Sequence, residues 1–223
     1  MNKINSLPEY IKAIDEIVSS YEDDVIVYRG ENRIFKTSCC PNLFRKNYLT
    51  RKKLFEKHVL DEMSANGLTH GKNYLLKAID AQHGGFPSRL LDVTYNALIA
   101  LYFAVTPFYT EKEEKDDNED GVVYIFDFED AYCALSYEVS EIYNSIVERE
   151  GKKELSEYKI FQYNHKFIDH VNSNERIIAQ QGAVILFQGN SYTPIPEYMY
   201  EKVIINYNSK KVIRKQLKDL FGI

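Results

Sequence analysis

The segment from residue 81 to residue 94 concentrates amide, imidazole, hydroxyl, guanidinium and carboxylate groups within a short stretch. These groups belong to Gln82, His83, Ser88, Arg89, Asp92 and Thr94. Two glycines and a proline lie among them, and glycines let a ligand approach the backbone closely. An arginine fork can clamp a phosphate or a carboxylate, and hydroxyls can donate to phosphate or ribose oxygens. The pattern therefore favours a loop that binds an anionic ligand.

A purely structural interpretation accounts for the same residues. Arg89 can pair with Asp92 as an internal salt bridge that locks the loop. Asp92 with Thr94 can cap a helix that begins near Asn96, and His83 can bond a backbone carbonyl. Each residue taken alone is more often structural than functional. Their clustering favours the ligand site, because loops carry functional residues disproportionately.

Other kinds of site lack support in the sequence. No G-x-x-x-x-G-K-S/T motif is present, which excludes a P-loop NTPase. The histidines are scattered and no H-E-x-x-H motif occurs, so we expect no metal site. Cys39 and Cys40 are adjacent and no C-x-x-C motif exists, which is typical of reduced thiols in a cytoplasmic protein.

Length, charge and hydropathy narrow the class of protein further. A chain of 223 residues is long enough to bury its own core as one domain. The net charge of −5 argues against broad nonspecific nucleic-acid binding. The amino terminus is polar, and no window approaches the ~20 apolar residues that span a bilayer. We therefore expect a cytoplasmic protein without a membrane partner.

Predicted helices and strands alternate along the chain. Ser6 and Glu9 match a capping box, Thr50 is predicted to cap a second helix and Ser209 the last one, which ends before Gly222. Strands are predicted at 25–28, 122–126, 183–187 and 200–205, and further helices at 74–82, from about 96, and at 138–149. The charged segment 111–120 is predicted to be an exposed connecting loop, and 151–174 shows weak periodicity. The expectation is a single α+β domain over residues 1–223, with a mixed small sheet and several flanking helices.

Several motifs are similar to those of a known family. They are Tyr28-Arg29-Gly30, Pro41-x-Leu43-Phe44-Arg45, Gln82-His83-Gly84, Pro87-Ser88-Arg89-Leu90-Leu91-Asp92, Ala100-Leu101-Tyr102-Phe103-Ala104 and Arg176-x-x-Ala179-Gln180-Gln181-Gly182-Ala183. Together they resemble the FRG domain, a family named for its aromatic-Arg-Gly motif, from about Val25 to Ile223. Val93, Ser88 and Val184 replace the family's usual tryptophan, threonine and aromatic residue. These departures remove no polar group from the expected site.

A strand that ends in Tyr-Arg-Gly also resembles the first strand of ADP-ribosyltransferases of the Arg-Ser-Glu type. This resemblance implies that Arg29 holds the phosphate or the nicotinamide-side ribose of NAD, and that Ser88 or Thr94 supplies the second motif. The third motif of those enzymes is a glutamate near a late strand, but Gln180 and Gln181 precede the late strand here. A glutamine cannot supply the negative charge that stabilises an oxocarbenium-like ribose. The candidate acids are therefore Glu175, Glu31 and Asp92.

The resemblances together imply an ADP-ribosyltransferase-like domain with NAD as its substrate. The implied catalytic residues are His83, Glu175 and Glu31. The implied binding residues are Arg29, Gln82, Ser88, Arg89, Asp92, Thr94, Arg176 and Gln180. We expect Arg29, His83, Arg89, Asp92, Arg176 and Gln180 to converge on one concave site, because separate loops commonly pool polar groups into one pocket.

Three functions remain open at this point. The first is an NAD-consuming ADP-ribosyltransferase or NAD glycohydrolase of a bacterial toxin or phage-defence system, with a protein or nucleic-acid acceptor for the transferred group. The second is a non-catalytic module that binds a nucleotide, a dinucleotide or a nucleic-acid end. The third is an interaction domain in which the polar cluster has a structural role.

Overall fold

A computed structural model describes residues 3–21, 25–45, 48–51, 54–69, 73–83, 85–107, 117–149, 165–169 and 175–223. Its centre is a six-stranded sheet with the order β4-β5-β2-β1-β3-β6. The strands are β1 (Val25–Glu31), β2 (Leu90–Thr94), β3 (Gly121–Phe128), β4 (Lys166–Ile168), β5 (Gly182–Leu186) and β6 (Tyr200–Ile205). All neighbouring strands pair antiparallel, whereas a mixed sheet was predicted. Parallel pairing among the described residues is limited to the isolated bridges Ile4–Ile205 and Tyr132–Ile168.

Helices flank this sheet and make the fold α+β, as predicted. They are α1 (Leu7–Val18), α2 (Asn42–Arg45), α3 (Tyr48–Arg51), α4 (Phe55–Ala65), α5 (Tyr74–His83), α6 (Ala97–Val105), α7 (Tyr137–Glu148), α8 (Glu175–Gln180) and α9 (Lys210–Gln216). The Ser6 hydroxyl accepts from the Glu9 N–H, so α1 begins where the capping box predicts. The last helix continues as the π-helical turn Leu217–Phe221 and ends at Gly222, whose φ of 70° suits glycine. No helix in the described part of the chain has the length and apolar character to cross a bilayer.

Side chains alternate between the two faces of the sheet and build separate core clusters. One face carries Val27, Leu91, Val93, Tyr124 and Ile185, which pack with Phe44, Phe167 and Phe187. On the other face, α4, α5 and α7 pack on β2 and β5, while α1, α6 and α9 pack on β1, β3 and β6. Each half of the second face therefore has its own helical cover.

The glycine of the Tyr-Arg-Gly motif lets α6 lie directly on β1. A Cβ atom on Gly30 would overlap the carbonyl oxygen of Ala100, and one on Gly121 would overlap that of Ala104. The two alanines are four residues apart and share one side of α6. Close backbone packing, rather than an unusual φ angle, thus explains Gly30. This packing fixes the positions at which Arg29 and Glu31 leave the strand.

The sheet divides into two well-paired halves. Strands β1 and β3 pair from Val25–Phe128 to Glu31–Val122, and β2 pairs with β5 along its whole length. In contrast, β1 and β2 meet at the register pair Tyr28–Thr94 alone within the described chain. Beyond that pair the two strands separate, and the gap opens next to Arg29.

One local prediction was wrong, and two further segments are described only in part. Thr50 lies inside α3, and the N-cap position of α4 is Leu54, so α4 does not begin at Thr50 as predicted. Strand β4 lies within 151–174, although positions 150–164 and 170–174 are outside the described residues. Most of the charged segment 111–120 is also outside them, but its described end is anchored: Asp117 pairs with Arg214 at 3.0 Å.

Candidate functional site

Strand β2 supports a chain of hydrogen bonds that joins several predicted site residues. Arg29 Nη1 donates to the backbone oxygen of Asp92 at 2.7 Å, across the gap between β1 and β2. Gln82 Nε2 donates to Asp92 Oδ1 at 2.7 Å, and Ser88 Oγ donates to Gln82 Oε1 at 3.1 Å. Because Asp92 is exposed while Ser88 is buried, the chain runs from the surface to the interior.

Thr94 and Gln180 connect β2 to the segment before β5. Thr94 Oγ1 donates to the Gln180 backbone oxygen at 2.6 Å and accepts from the Asn96 N–H at 3.0 Å. The cap of α6 is Asn96, whose side chain accepts from the backbone of Leu98 and Ile99. The structural interpretation of Asp92 as a cap is therefore wrong, because its carboxylate accepts from Gln82 instead.

Arg89 does not pair with Asp92, and its side chain is completely buried. Arg89 Nε donates to Glu56 Oε2 at 2.6 Å, and both side chains are 0% exposed. Tyr143 Oη donates to the other oxygen of Glu56 at 2.6 Å. This position corrects the interpretation of Arg89 as a phosphate clamp, because a guanidinium neutralised inside the core presents no edge to a ligand at the surface. Its geometry favours a positioning role.

Arg89 also holds the chain that leaves β5. Its Nη1 donates to the backbone oxygens of Phe187 and Gly189 at 3.2 Å and 2.8 Å. Sequence reasoning missed Glu56, which is 33 positions away from Arg89 on α4. Leu60 and Met63 on the same helix are buried, so their spacing places Glu56 on the inner face. This helical spacing was the signal in the sequence that could have identified Glu56 as an inward-facing acid.

A second polar cluster surrounds Glu31 at the end of β1. Its Oε1 accepts from the Cys39 N–H at 3.1 Å, from Arg29 Nε at 3.3 Å and from Arg45 Nη2 at 3.5 Å. The Glu31 side chain is 2% exposed, whereas those of Arg29 and Arg45 are 20% and 28% exposed. Glu31 Oε2 is buried and has no hydrogen-bond partner within the described residues. The sequence pattern contained Arg45, but no site role was predicted for it.

Arg29 links the two polar groups. Arg29 lies two positions from both Val27 and Glu31 on β1, so the three side chains begin on one face of the sheet. Asp92 directly follows Leu91, which is on that face, and therefore points to the opposite face. Burial opposes the charged form of Arg29, but the negative charge of Glu31, with smaller effects from Cys39 and Asp92, raises its pKa above the ordinary arginine value. Arg29 therefore remains a cation at the junction of the two strand pairs.

The cysteines beside this cluster are poor nucleophiles. Burial, reinforced by the charge of Glu31, raises the pKa of the Cys39 thiol well above its usual range. Burial likewise raises the pKa of Cys40 to about 11. Because the thiolate is the reactive form, these residues serve packing in the core. Within the described ranges, no group of three or more His, Cys, Asp or Glu residues could hold a metal ion.

The structure brings together part of the predicted set. The residues that gather around β2 and the end of β1 are Arg29, Glu31, Gln82, Ser88, Asp92, Thr94 and Gln180. Glu175 is exposed at the first position of α8. The side chains of His83 and Arg176 lie outside the described residues, so their site roles stay predictions. Arg89 lies beside Ser88 in sequence but points into the core.

Comparison with known proteins gives one match. The family model of the FRG domain matches residues 24–116. This range includes the Glu31 cluster and all of β2, but not the motif at 176–183 or the last helix. No curated protein and no solved structure shows significant similarity to the chain. The chain thus contains an FRG domain, over residues 24–116, that supplies most of the polar groups gathered around β2.

Proposed function

We propose that this FRG domain handles nucleotides as an NAD-consuming, ADP-ribosyltransferase-like enzyme. One observation supports the proposal most strongly. Three positions with the order expected of such enzymes come from adjacent strands: Arg29 from β1, Thr94 from β2 and Gln180 immediately before β5. Residues distant in sequence thus meet at the junction of β1 and β2, where Arg29 reaches from the opposite face of the sheet to the backbone of Asp92.

In the proposed reaction, Arg29 binds the pyrophosphate or the nicotinamide-side ribose. The bond between ribose C1′ and the nicotinamide nitrogen breaks, and its electron pair leaves with neutral nicotinamide. A water or an acceptor group then bonds to C1′ and loses its proton to solvent or to a nearby carboxylate. A fixed anion close to C1′ lowers the barrier, because positive charge develops on the ribose in the transition state.

Asp92 is the candidate acid with the most suitable surroundings. Its carboxylate is exposed, and Gln82 holds one of its oxygens at 2.7 Å. Glu31 is buried, while Glu175 is exposed on a different segment. An anion that is both oriented and accessible meets the requirement for electrostatic stabilisation better than either alternative.

Nicotinamide release from NAD tests this proposal. Asp92→Asn is expected to lower the rate by a factor on the order of 100 to 1,000, which is typical of losing one stabilising group. Asp15→Asn is the matched control, because it neutralises an exposed aspartate on α1, and it is expected to retain the rate. Equal rates for Asp92→Asn and the unaltered protein would remove Asp92 from the mechanism. Absence of release by the unaltered protein would reject the enzyme.

A nucleotide-binding module without catalysis is the second candidate. The observation that favours it is Gln180, an uncharged residue where the resembling enzymes carry an acid. Calorimetric titration with NAD separates the two functions: saturable binding without nicotinamide release supports the module. The enzyme proposal also includes a toxin or phage-defence role and a protein or nucleic-acid acceptor for the ADP-ribose group. Both depend on catalysis.

A further inference from the structure

The hydrogen bonding of Glu31 is unusually one-sided. Three donors converge on Oε1, from the backbone of Cys39 and from two arginines, at 3.1 to 3.5 Å. Oε2 is also buried, yet it accepts no hydrogen bond from a described residue. Buried carboxylate oxygens normally have partners, and one without a donor calls for a specific explanation. A hydrogen-bond donor on a bound ligand would explain why Glu31 Oε2 has no donor among the described residues.

The two arginines that contact Glu31 are not enclosed. Their side chains are 20% and 28% exposed, so neither arginine is fully covered by protein. Together with Glu31 they leave one positive charge in excess. Arg45 is held in place by Cys40, whose backbone oxygen accepts from Nε at 2.8 Å, and by the ring of Phe35, 4.8 Å away. A planar guanidinium presented in this way suits an oxyanion.

We propose that Arg29, Glu31 and Arg45 form the ribose–phosphate subsite of the nucleotide. The exposed edges of the two arginines pair with a phosphate oxygen, and a ribose hydroxyl donates to Glu31 Oε2. The contact between Arg45 and Glu31 is the longest of the three at 3.5 Å. A small outward shift of Arg45 toward phosphate would therefore give up little of its contact with Oε1. The inference rests on the proposed function for the class of ligand and adds Arg45 as a specificity-determining residue.

Two probes separate the roles of the acid and the arginines. ADP-ribose carries both phosphate and ribose hydroxyls, whereas inorganic pyrophosphate carries no hydroxyl on a sugar. Glu31→Gln is expected to weaken ADP-ribose binding about tenfold, because the charged acceptor of the hydroxyl is lost. Pyrophosphate binding to the same variant should stay equal or become tighter, because a nearby negative charge has been removed. Calorimetric titration measures both affinities.

Arg45 and Arg33 provide a matched pair of arginines. Both guanidinium groups lie over the ring of Phe35, at 4.8 Å and 4.7 Å, but Arg45 contacts Glu31 while Arg33 pairs with Glu119. Arg45→Gln is expected to lower the affinity for both probes by about 10- to 100-fold, as for loss of a charge-assisted contact. Arg33→Gln should change either affinity less than about threefold. Arg45→Lys keeps the charge without the fork and is expected to lose about 3- to 10-fold.

The outcomes distinguish this inference from the proposed function. Equal losses for both probes in Glu31→Gln would assign Oε2 to a structural role and overturn the inference. It would also be overturned if Arg45→Gln and Arg33→Gln behaved alike, or if the unaltered protein bound neither probe. If the expected pattern appears but NAD is not cleaved, the subsite stands and the enzyme proposal fails. Thermal unfolding checks the folding of each variant, and Arg45→Lys serves if Arg45→Gln does not fold.

Discussion

The Arg89–Glu56 pair and the Arg29–Glu31–Arg45 cluster use the same residue types in opposite surroundings. In the first, both side chains are 0% exposed, and Tyr143 and backbone oxygens bind most of the polar atoms, with Arg89 Nη2 left without a partner among the described residues. In the second, one carboxylate oxygen is buried without a described partner, while both arginines reach the surface. Arg89, which the sequence predicts to clamp a ligand, forms an internal ion pair with Glu56. The shorter Tyr-Arg-Gly motif instead supplies Arg29, which is partly exposed. Burial of the whole pair, more than residue type, separates these roles.

The largest expected effect concerns the enclosed pair. Arg89→Ala leaves the charge of Glu56 buried and unpaired, which is expected to cost about 3–5 kcal/mol of unfolding free energy. Urea unfolding followed by circular dichroism measures the loss. A change below about 1 kcal/mol would show that the pair is not a structural lock.

His165 tests how tightly the segment held by Arg89 is enclosed. Its ring packs against Phe187, 4.5 Å between centroids, and Nε2 lies 3.1 Å from the Thr193 oxygen. Burial, partly opposed by the Thr193 contact, lowers the pKa of His165 to about 4. Between about pH 6.5 and 4 the unfolded chain takes up a proton that the folded protein does not, so stability falls as the pH falls, by at most about 3 kcal/mol.

Replacement of His165 isolates this contribution from that of the carboxylates. His165→Gln should show a smaller loss of stability between pH 6.5 and 4 than the unaltered protein, in urea unfolding at each pH. His58→Gln on the exposed side of α4 is the control and should follow the unaltered protein. Parallel curves for all three proteins would contradict the enclosed histidine.

Gly30 tests the geometry of the open cluster. Gly30→Ala would place a methyl group against the Ala100 carbonyl, and we expect it to cost about 1–3 kcal/mol or more. It should also weaken ADP-ribose binding, because Arg29 and Glu31 flank the displaced position. Gly182→Ala is the matched control: its nearest neighbour would be 3.7 Å away, an ordinary contact, so little change is expected. Similar unfolding free energies for the two variants would disprove the close packing of α6.

The smallest effect on stability is expected for Arg45. Arg45→Gln should change the unfolding free energy by less than about 1 kcal/mol, because a partly exposed ion pair contributes little. Chemical unfolding of Arg45→Gln and of Arg89→Gln under the same conditions compares the stability contributions of the two clusters. If Arg45→Gln were as destabilising as Arg89→Gln, the open cluster would also be structural.

Much of the fold follows from local sequence patterns. Strand β6 occupies Tyr200–Ile205 as predicted, and α6 begins one residue after Asn96. Strand β6 carries a β-branched run at 203–205, and α6 is a continuous apolar run that follows a recognisable cap, Asn96. Strand β4 has three residues within an aromatic, polar stretch, which is too short for alternation to be visible. Local pattern therefore predicts the long elements and misses the short one.

The site was less predictable, because it depends on contacts between distant residues. The sequence identified Arg29 and the group from Gln82 to Thr94, which the hydrogen bonds do connect. It could not reveal that Arg89 pairs with Glu56 or that Arg45 reaches Glu31, since side-chain pairing across 33 or 14 positions leaves no local pattern. Whether a charged residue is enclosed or accessible is decided by the tertiary packing.

The strand order also has a consequence for how the chain folds. The two long ladders, β1 with β3 and β2 with β5, each join segments about 90 residues or more apart, and the second is interleaved with the first along the chain. Neither ladder can close before a long loop has lost its conformational freedom. We expect the high contact order to make folding slow compared with helical proteins of this size. The proposed nucleotide site, at the meeting of the two ladders, can then assemble only after both are in place.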